Sequence, residues 1–88
     1  MTNTQVLDHV RRFVTDNYLY RFPDVTLTDE LNLLEAGVID SLGVIELVGE
    51  VEGQFAVTVR DIDVTEENFG SVTGVVDFVA RQQGNGAP

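Results

Sequence analysis

The hydrophobic positions along the chain fall into segments with the periodicity of helices. Residues 4–19 place an apolar side chain at every third or fourth position, which predicts an amphipathic helix. Thr2 and Gln5 have the spacing of a capping box at its start. The apolar positions of this first helix are Val6, Leu7, Val10, Phe13, Val14 and Tyr18.

Three further helices follow from the same pattern. The second is predicted to begin at Asp40 or Ser41 and to run to about Phe55. Thr65 precedes two glutamates and predicts the cap of a short third helix. Ser71 is predicted to cap a last helix with apolar residues at i, i+3, i+4 and i+7. The residues of the second helix expected to face inward are Leu42, Ile45, Val48, Val51 and Phe55.

The segments between the helices predict loops. Pro23 disfavours helix at the residue before it, so residues 20–40 are expected to form a long connection. Residues 56–60 are rich in β-branched side chains but have no second strand to pair with, which favours a loop. Leucines expected to pack beneath the long connection are Leu27, Leu31, Leu33 and Leu34.

The sequence therefore predicts an all-α fold, a small four-helix bundle with three long helices and one short third helix. A long loop joins helices one and two. One domain is expected over residues 1–83, and residues 84–88 are expected to form a flexible C-terminal tail.

Composition narrows the possible functions. Fifteen acids against five arginines give a net charge of −10, which opposes binding to nucleic acid. Eleven of the acids lie in residues 29–67, beside Arg60 alone. With no cysteine and one histidine, we expect no metal site, and without cysteine or lysine most enzyme chemistries lack a required residue. No apolar run approaches the ~20 residues that span a bilayer, so we expect a cytoplasmic protein without membrane contact. We also expect the protein to be a monomer.

Asp40 and Ser41 form the stretch with the clearest chemical meaning. Asp40 is a strong N-cap, so Ser41 is expected to be the first helical residue with its hydroxyl pointing outward. A phosphate attached there would meet the positive end of the helix dipole. The alternative is that the two residues only cap the helix.

The wider sequence resembles the acyl carrier protein family over nearly the whole chain. The residues that carry the resemblance are Leu34, Gly37, Asp40-Ser41-Leu42, Glu46-Leu47-Val48, Phe55 and Glu67-Asn68-Phe69. By this resemblance, Ser41 is the serine esterified with 4′-phosphopantetheine from coenzyme A, and Asp40 is the motif acid before it. The thiol of that group would carry acyl or aminoacyl cargo, and the chain itself would be a non-catalytic carrier.

The resemblance also implies partners and leaves the cargo open. A phosphopantetheinyl transferase would attach the arm, and ligases, synthases or transferases with basic docking surfaces would load and use it. Two aliphatic residues before Asp40 look more like stand-alone aminoacyl or D-alanyl carriers of secondary metabolism than the housekeeping fatty-acid carrier. Fatty-acid, polyketide and nonribosomal-peptide pathways all remain open. Residues suggested to shelter an acyl chain, or simply to pack in the core, are Leu47, Val51, Ile62 and Val76.

Partner enzymes are predicted to dock on the second helix. Gly43, Glu46, Glu50 and Gly53 are spaced three, four and three apart and share one helical face. Glycines and like charges there cost helix stability, which favours a flat acidic surface for recognition over a surface tuned for stability. The residues predicted to bind partners are Leu42, Glu46, Glu50 and Glu52.

Three other functions compete with the carrier interpretation. An EF-hand around Asp61 and Asp63 lacks the required glycine and final glutamate. A hydrolase using Ser41 and His9 lacks the nucleophile-elbow motif. An acidic interaction or inhibitory module without a prosthetic group remains as the alternative, and it would not need Ser41.

Overall fold

Four α-helices follow one another along residues 2–84, the part of the chain that the computed structural model describes. Two single 3-10 turns, at Leu19–Arg21 and Asp61–Asp63, lie between them. The predicted all-α four-helix bundle with a short third helix is confirmed. Gly84 ends the last helix, and the rest of the predicted tail, residues 85–88, lies outside the described residues. The helices are α1 (Asn3–Asn17), α2 (Ser41–Phe55), α3 (Glu66–Phe69) and α4 (Val72–Gly84).

Side-chain caps begin the helices where the sequence predicts them. The Thr2 hydroxyl accepts the Gln5 N–H at 3.1 Å, and the Gln5 side chain accepts the Thr2 N–H at 2.9 Å. Thr65 accepts the Asn68 N–H at 3.1 Å at the start of α3. The Ser71 hydroxyl accepts the Gly74 N–H at 3.0 Å and caps α4. Each cap satisfies an N–H that the helix itself cannot pair.

The core lies between α1, α2 and α4, and the long loop adds two leucines to it. Leu27 and Leu33 are buried, as predicted. Leu34 is 37% exposed, so its predicted burial is wrong. The chain turns at residues 33–37, which leaves the Leu34 side chain at the surface. Fully buried side chains include Val6, Val10, Val14, Leu47, Val51, Phe69, Val72, Val75, Phe78 and Val79.

The predicted core face of α2 is correct at Val51 and Phe55, which are buried, and wrong near the start of the helix. Leu42 is 68% exposed and Ile45 is 62% exposed, so their predicted inward orientation is wrong. The helix carries two apolar stripes, and only one can face the rest of the bundle at a time. The buried stripe consists of Val44, Leu47, Val51 and Phe55.

The long loop is tied to the helices on both sides of it. The Arg11 guanidinium contacts the Asp29 carboxylate at 2.6 Å and donates to the Leu27 carbonyl at 3.1 Å. The Asp29 carbonyl in turn accepts the Thr73 N–H at 2.8 Å. These bonds tie the loop to α1 on one side and to the start of α4 on the other. The loop therefore leads into α2 along a defined path.

The segment after α2 is an extended loop rather than a strand, as predicted. Ala56 ends the helix in the left-handed conformation, with φ at 54°. The Glu52 carboxylate then accepts the Val59 N–H at 3.0 Å, which holds the loop back against α2.

Candidate functional site

Ser41 is the first residue of α2, and its side chain is exposed. The Asp40 carboxylate accepts the Gly43 N–H at 2.8 Å and so caps the helix. The Asp40 carbonyl accepts the Val44 N–H at 2.9 Å, which begins the regular helical bonding. A cap of this kind leaves the Ser41 hydroxyl out of the helix's own bonding and places it beside the positive end of a 15-residue helix.

The turn before Asp40 sets the position of this helix start. Gly37 has a φ of 74°, in the left-handed region that glycine adopts without strain. The Leu33 carbonyl then accepts the N–H groups of Val38 and Ile39, at 3.0 and 3.2 Å. Because both aliphatic side chains are buried, the main chain reaches Asp40 from a fixed point in the core.

Gly43 allows the same turn to pack closely on α2. A Cβ atom at Gly43 would lie 2.6 Å from Cγ1 of Ile39 and 3.4 Å from the Tyr18 ring. Gly43 is itself buried. The prediction that it belongs to an exposed docking face is therefore wrong, because this glycine serves close packing.

A surface cleft of about 270 Å³ opens directly beside Ser41. One wall comes from α2, through Val44 and Ile45, and the other from the loop and from α3. Apart from the Ser41 hydroxyl, its polar groups are those of Thr65 and Glu66. The remaining lining residues are Leu34, Val64 and Phe69.

An exposed pair of aliphatic side chains follows Ser41 on α2. The sequence predicts that both Leu42 and Ile45 face the core, and it also predicts that Leu42 binds partners, but both side chains are exposed. The exposure of Ile45 is detectable from the second apolar stripe, since Val44 and Leu47 already fill the inward positions. Ile62, suggested as a shelter for cargo, is 74% exposed, while Leu47, Val51 and Val76 are core residues.

The three predicted docking carboxylates all contact groups of this same chain. The Tyr18 hydroxyl donates to Glu46, and the His9 ring nitrogen lies 2.7 Å from the Glu50 carboxylate. Glu52 accepts the Val59 N–H. Burial, followed by the hydrogen bond to Glu46, raises the pKa of Tyr18 well above its usual value. Glu50 thus joins α2 to α1, and Glu46 joins α2 to Tyr18, the residue that follows α1 as its C-cap.

Within residues 2–84, no group of three or more His, Asp or Glu side chains is placed to hold a metal ion. No helix in that range has the length and apolar character needed to cross a membrane.

Comparison with known proteins identifies the family of the segment that contains Ser41. Residues 19–79, which include Asp40 and Ser41, match the family described as Phosphopantetheine attachment site. The chain belongs to the phosphopantetheine-binding carrier proteins. It is 35% identical over 60 residues to the D-alanyl carrier proteins of Streptococcus uberis and of Streptococcus pyogenes serotype M1. Each match covers 68% of this chain and 76% of the relative.

The carrier holds 4′-phosphopantetheine covalently and is not an enzyme. The region around α2 fits such a group, because it offers an exposed hydroxyl at a helix N-terminus that favours a phosphate. Carriers of this kind receive the arm from a phosphopantetheinyl transferase and exchange cargo with ligases or synthases. The acidic module without a prosthetic group is set aside by the family match.

Proposed function

We propose that Ser41 is the residue that bears the 4′-phosphopantetheine arm, with Asp40 as the acid that fixes its position. The observation that carries the proposal is the exposed Ser41 side chain at the first position of α2, inside the matched residues. The chain has one other serine, Ser71, and its hydroxyl is engaged in capping α4. When attached, the arm supplies a thiol that holds cargo as a thioester.

We propose further that the cargo is a small acyl or aminoacyl group, delivered to biosynthetic enzymes in the cytoplasm by a monomeric carrier. The D-alanyl carrier relatives support an aminoacyl cargo. The packing of the core favours a short cargo, because Leu47 and Val51 are fully buried against other side chains and do not line a cavity. A long chain would need room that a close-packed interior does not offer.

Partner enzymes are proposed to dock along α2 beside Ser41. Leu42 is exposed there together with Ile45, and a pair of solvated aliphatic side chains favours burial in a partner's apolar surface. Glu46, Glu50 and Glu52 remain in the proposal as charges that attract a basic partner. Because each already contacts this chain, their contribution is expected in the rate of encounter more than in direct contacts.

The attachment site is tested by incubating the chain with coenzyme A, Mg²⁺ and a phosphopantetheinyl transferase and measuring its intact mass. We expect one added arm, located at Ser41 by peptide mapping. Ser41→Ala should abolish the addition and leave the melting temperature nearly unchanged, because Asp40 still caps the helix.

Ser71→Asn is the matched control, since asparagine keeps a cap on α4 while removing the other serine hydroxyl. It should accept the arm at the wild-type rate. An arm on Ser71, or none from several transferases, would contradict the assignment. Loading of the modified carrier with amino acids or fatty acids by candidate ligases then separates the cargo classes.

A further inference from the structure

The Asn32 side chain forms hydrogen bonds at both ends of its amide. Its Oδ1 accepts the N–H groups of Leu34 at 3.1 Å and Glu35 at 3.0 Å. Its Nδ2 donates to Oε1 of Glu66 at 2.5 Å. One amide group therefore joins the turn that precedes α2 to the first residue of α3.

This bridge borders the cleft beside Ser41. Leu34, whose N–H Asn32 accepts, and Glu66, to which Asn32 donates, both line the cleft. The main chain adds a second tie, because the Leu33 N–H donates to the Gly70 carbonyl at 2.7 Å. The turn is thus held at both ends of the four-residue α3.

The geometry points to Asn32 as a positioning residue of the attachment site. We propose that Asn32 holds Leu34 in place as a wall of the cleft. This wall limits the exposure to water of the arm attached at Ser41. The inference rests on the proposed function only in taking Ser41 as the point of attachment. An amide is needed because the turn requires an acceptor and Glu66 requires a donor.

Exchanging the amide and the carboxylate tests the bridge directly. Asn32→Asp keeps the acceptor for the turn but loses the donor and faces the Glu66 carboxylate, so the bridge breaks. In the double variant Asn32→Asp with Glu66→Gln, the new glutamine donates to the new aspartate and the net charge returns to that of the wild type. Glu67→Gln is the control, since Glu67 is the exposed neighbour of Glu66 in α3.

The first measurement is hydrogen exchange at the Leu33 amide in the unmodified chain. We expect exchange to become about tenfold faster in Asn32→Asp, because a hydrogen bond to a charged group is lost, and to return towards the wild-type rate in the double variant. Equal exchange in wild type and Asn32→Asp, or no recovery in the double variant, would overturn the bridge. This result does not depend on whether Ser41 is modified.

The second measurement uses an arm that carries a polarity-sensitive fluorophore, transferred from the corresponding coenzyme A derivative. Its emission should shift to the red in Asn32→Asp alone and match the wild type in the double variant and in Glu67→Gln. Unchanged emission alongside faster exchange would show that Asn32 only stabilises the turn, and would overturn the positioning role. Failure of the arm to attach at Ser41 would instead contradict the proposed function.

Discussion

Tyr18 joins α1 to α2 through a hydrogen bond that depends on its being protonated. Its hydroxyl donates to Glu46, and burial followed by this bond raises its pKa. A phenol whose pKa is higher in the folded state stabilises the fold fully below the unfolded pKa of about 10. Above that pH the unfolded chain loses the proton first, so the stabilisation declines as the pH rises.

We therefore expect the free energy of unfolding to fall as the pH increases beyond about 10. The chain suits this measurement because it has neither lysine nor cysteine and only two tyrosines. Urea unfolding between pH 8 and 12 should show the decline in the wild type and in Tyr20→Phe. Tyr18→Phe should show a much flatter profile, and an equal decline in that variant would contradict the role given to Tyr18.

At the scale of one element, the glycines of α2 divide by the space around them. A Cβ at Gly49 or Gly53 would meet no atom within 4 Å, whereas one at Gly43 would lie 2.6 Å from Ile39. Gly49→Ala and Gly53→Ala should each raise the free energy of unfolding by about 0.5–1 kcal/mol, the usual helical gain. Gly43→Ala should lower it, because the buried Ile39 must move.

Urea midpoints at an unchanged m-value provide this comparison. The three variants make the same chemical change in the same helix, so propensity alone predicts three equal gains. Stabilisation by Gly43→Ala equal to that at the other two positions would show that the turn before Asp40 packs more loosely on α2 than the structure has it.

Charge on α2 is expected to influence how fast partners arrive. Glu46→Arg with Glu50→Arg should slow arm transfer to Ser41, most at low ionic strength, because the acidic field around α2 is weakened. The measurement is the transfer rate against salt concentration. Tyr18→Phe with His9→Phe is the control, since it removes the same contacts to α1 but keeps both carboxylates. Equal slowing in both double variants would assign the effect to helix packing rather than charge.

The sequence predicts the starts of these helices better than it predicts their faces. Caps such as Thr2 and Ser71 act on residues three positions away, so local pattern is enough to find them. The burial of α2 is not local, because two apolar stripes compete and only the assembled bundle selects one. The hydrogen bond from Tyr18 to Glu46 joins residues 28 positions apart, so the pattern of residues within α2 cannot predict it.

The candidate site also has a part that the local sequence predicts and a part that depends on the assembled fold. Asp40 and Ser41 are recognisable because their spacing to Leu34, Gly37 and Leu42 is contained in one stretch of chain. The cleft beside them is not recognisable, since Glu66 reaches it from α3. The hydrogen bond from the Asn32 amide to Glu66 likewise forms only where the fold places the loop beside α3, so the sequence does not predict it.

For the whole molecule, the acidic charge is expected to lower stability at low ionic strength. Of the eleven acids in residues 29–67, Asp29 and Asp63 form ion pairs with arginines in the described part of the chain, and Glu50 contacts His9. Added sodium chloride should raise the melting temperature by screening the rest. A gain of about 1 kcal/mol corresponds to roughly 4–8 °C for a domain of this size.

Melting curves in sodium chloride, rather than sulfate, measure this effect, because sulfate also strengthens burial of apolar surface. Glu35→Gln with Glu67→Gln removes two exposed charges and should reduce the gain. A melting temperature that is independent of salt in the wild type would show that the acids are too far apart to repel one another.

The close packing of the turn before Asp40 has a consequence for delivery. A group held on a flexible tether is presented to a partner at an effective concentration set by the tether's length and by how well its base is fixed. If Ser41 carries the arm, as proposed, the base of the tether is the first residue of α2, and the turn before it is bonded to Leu33 and packed against Gly43. A fixed base would leave the conformational freedom of delivery mainly to the tether, so a partner bound to α2 would determine the volume that the cargo can reach.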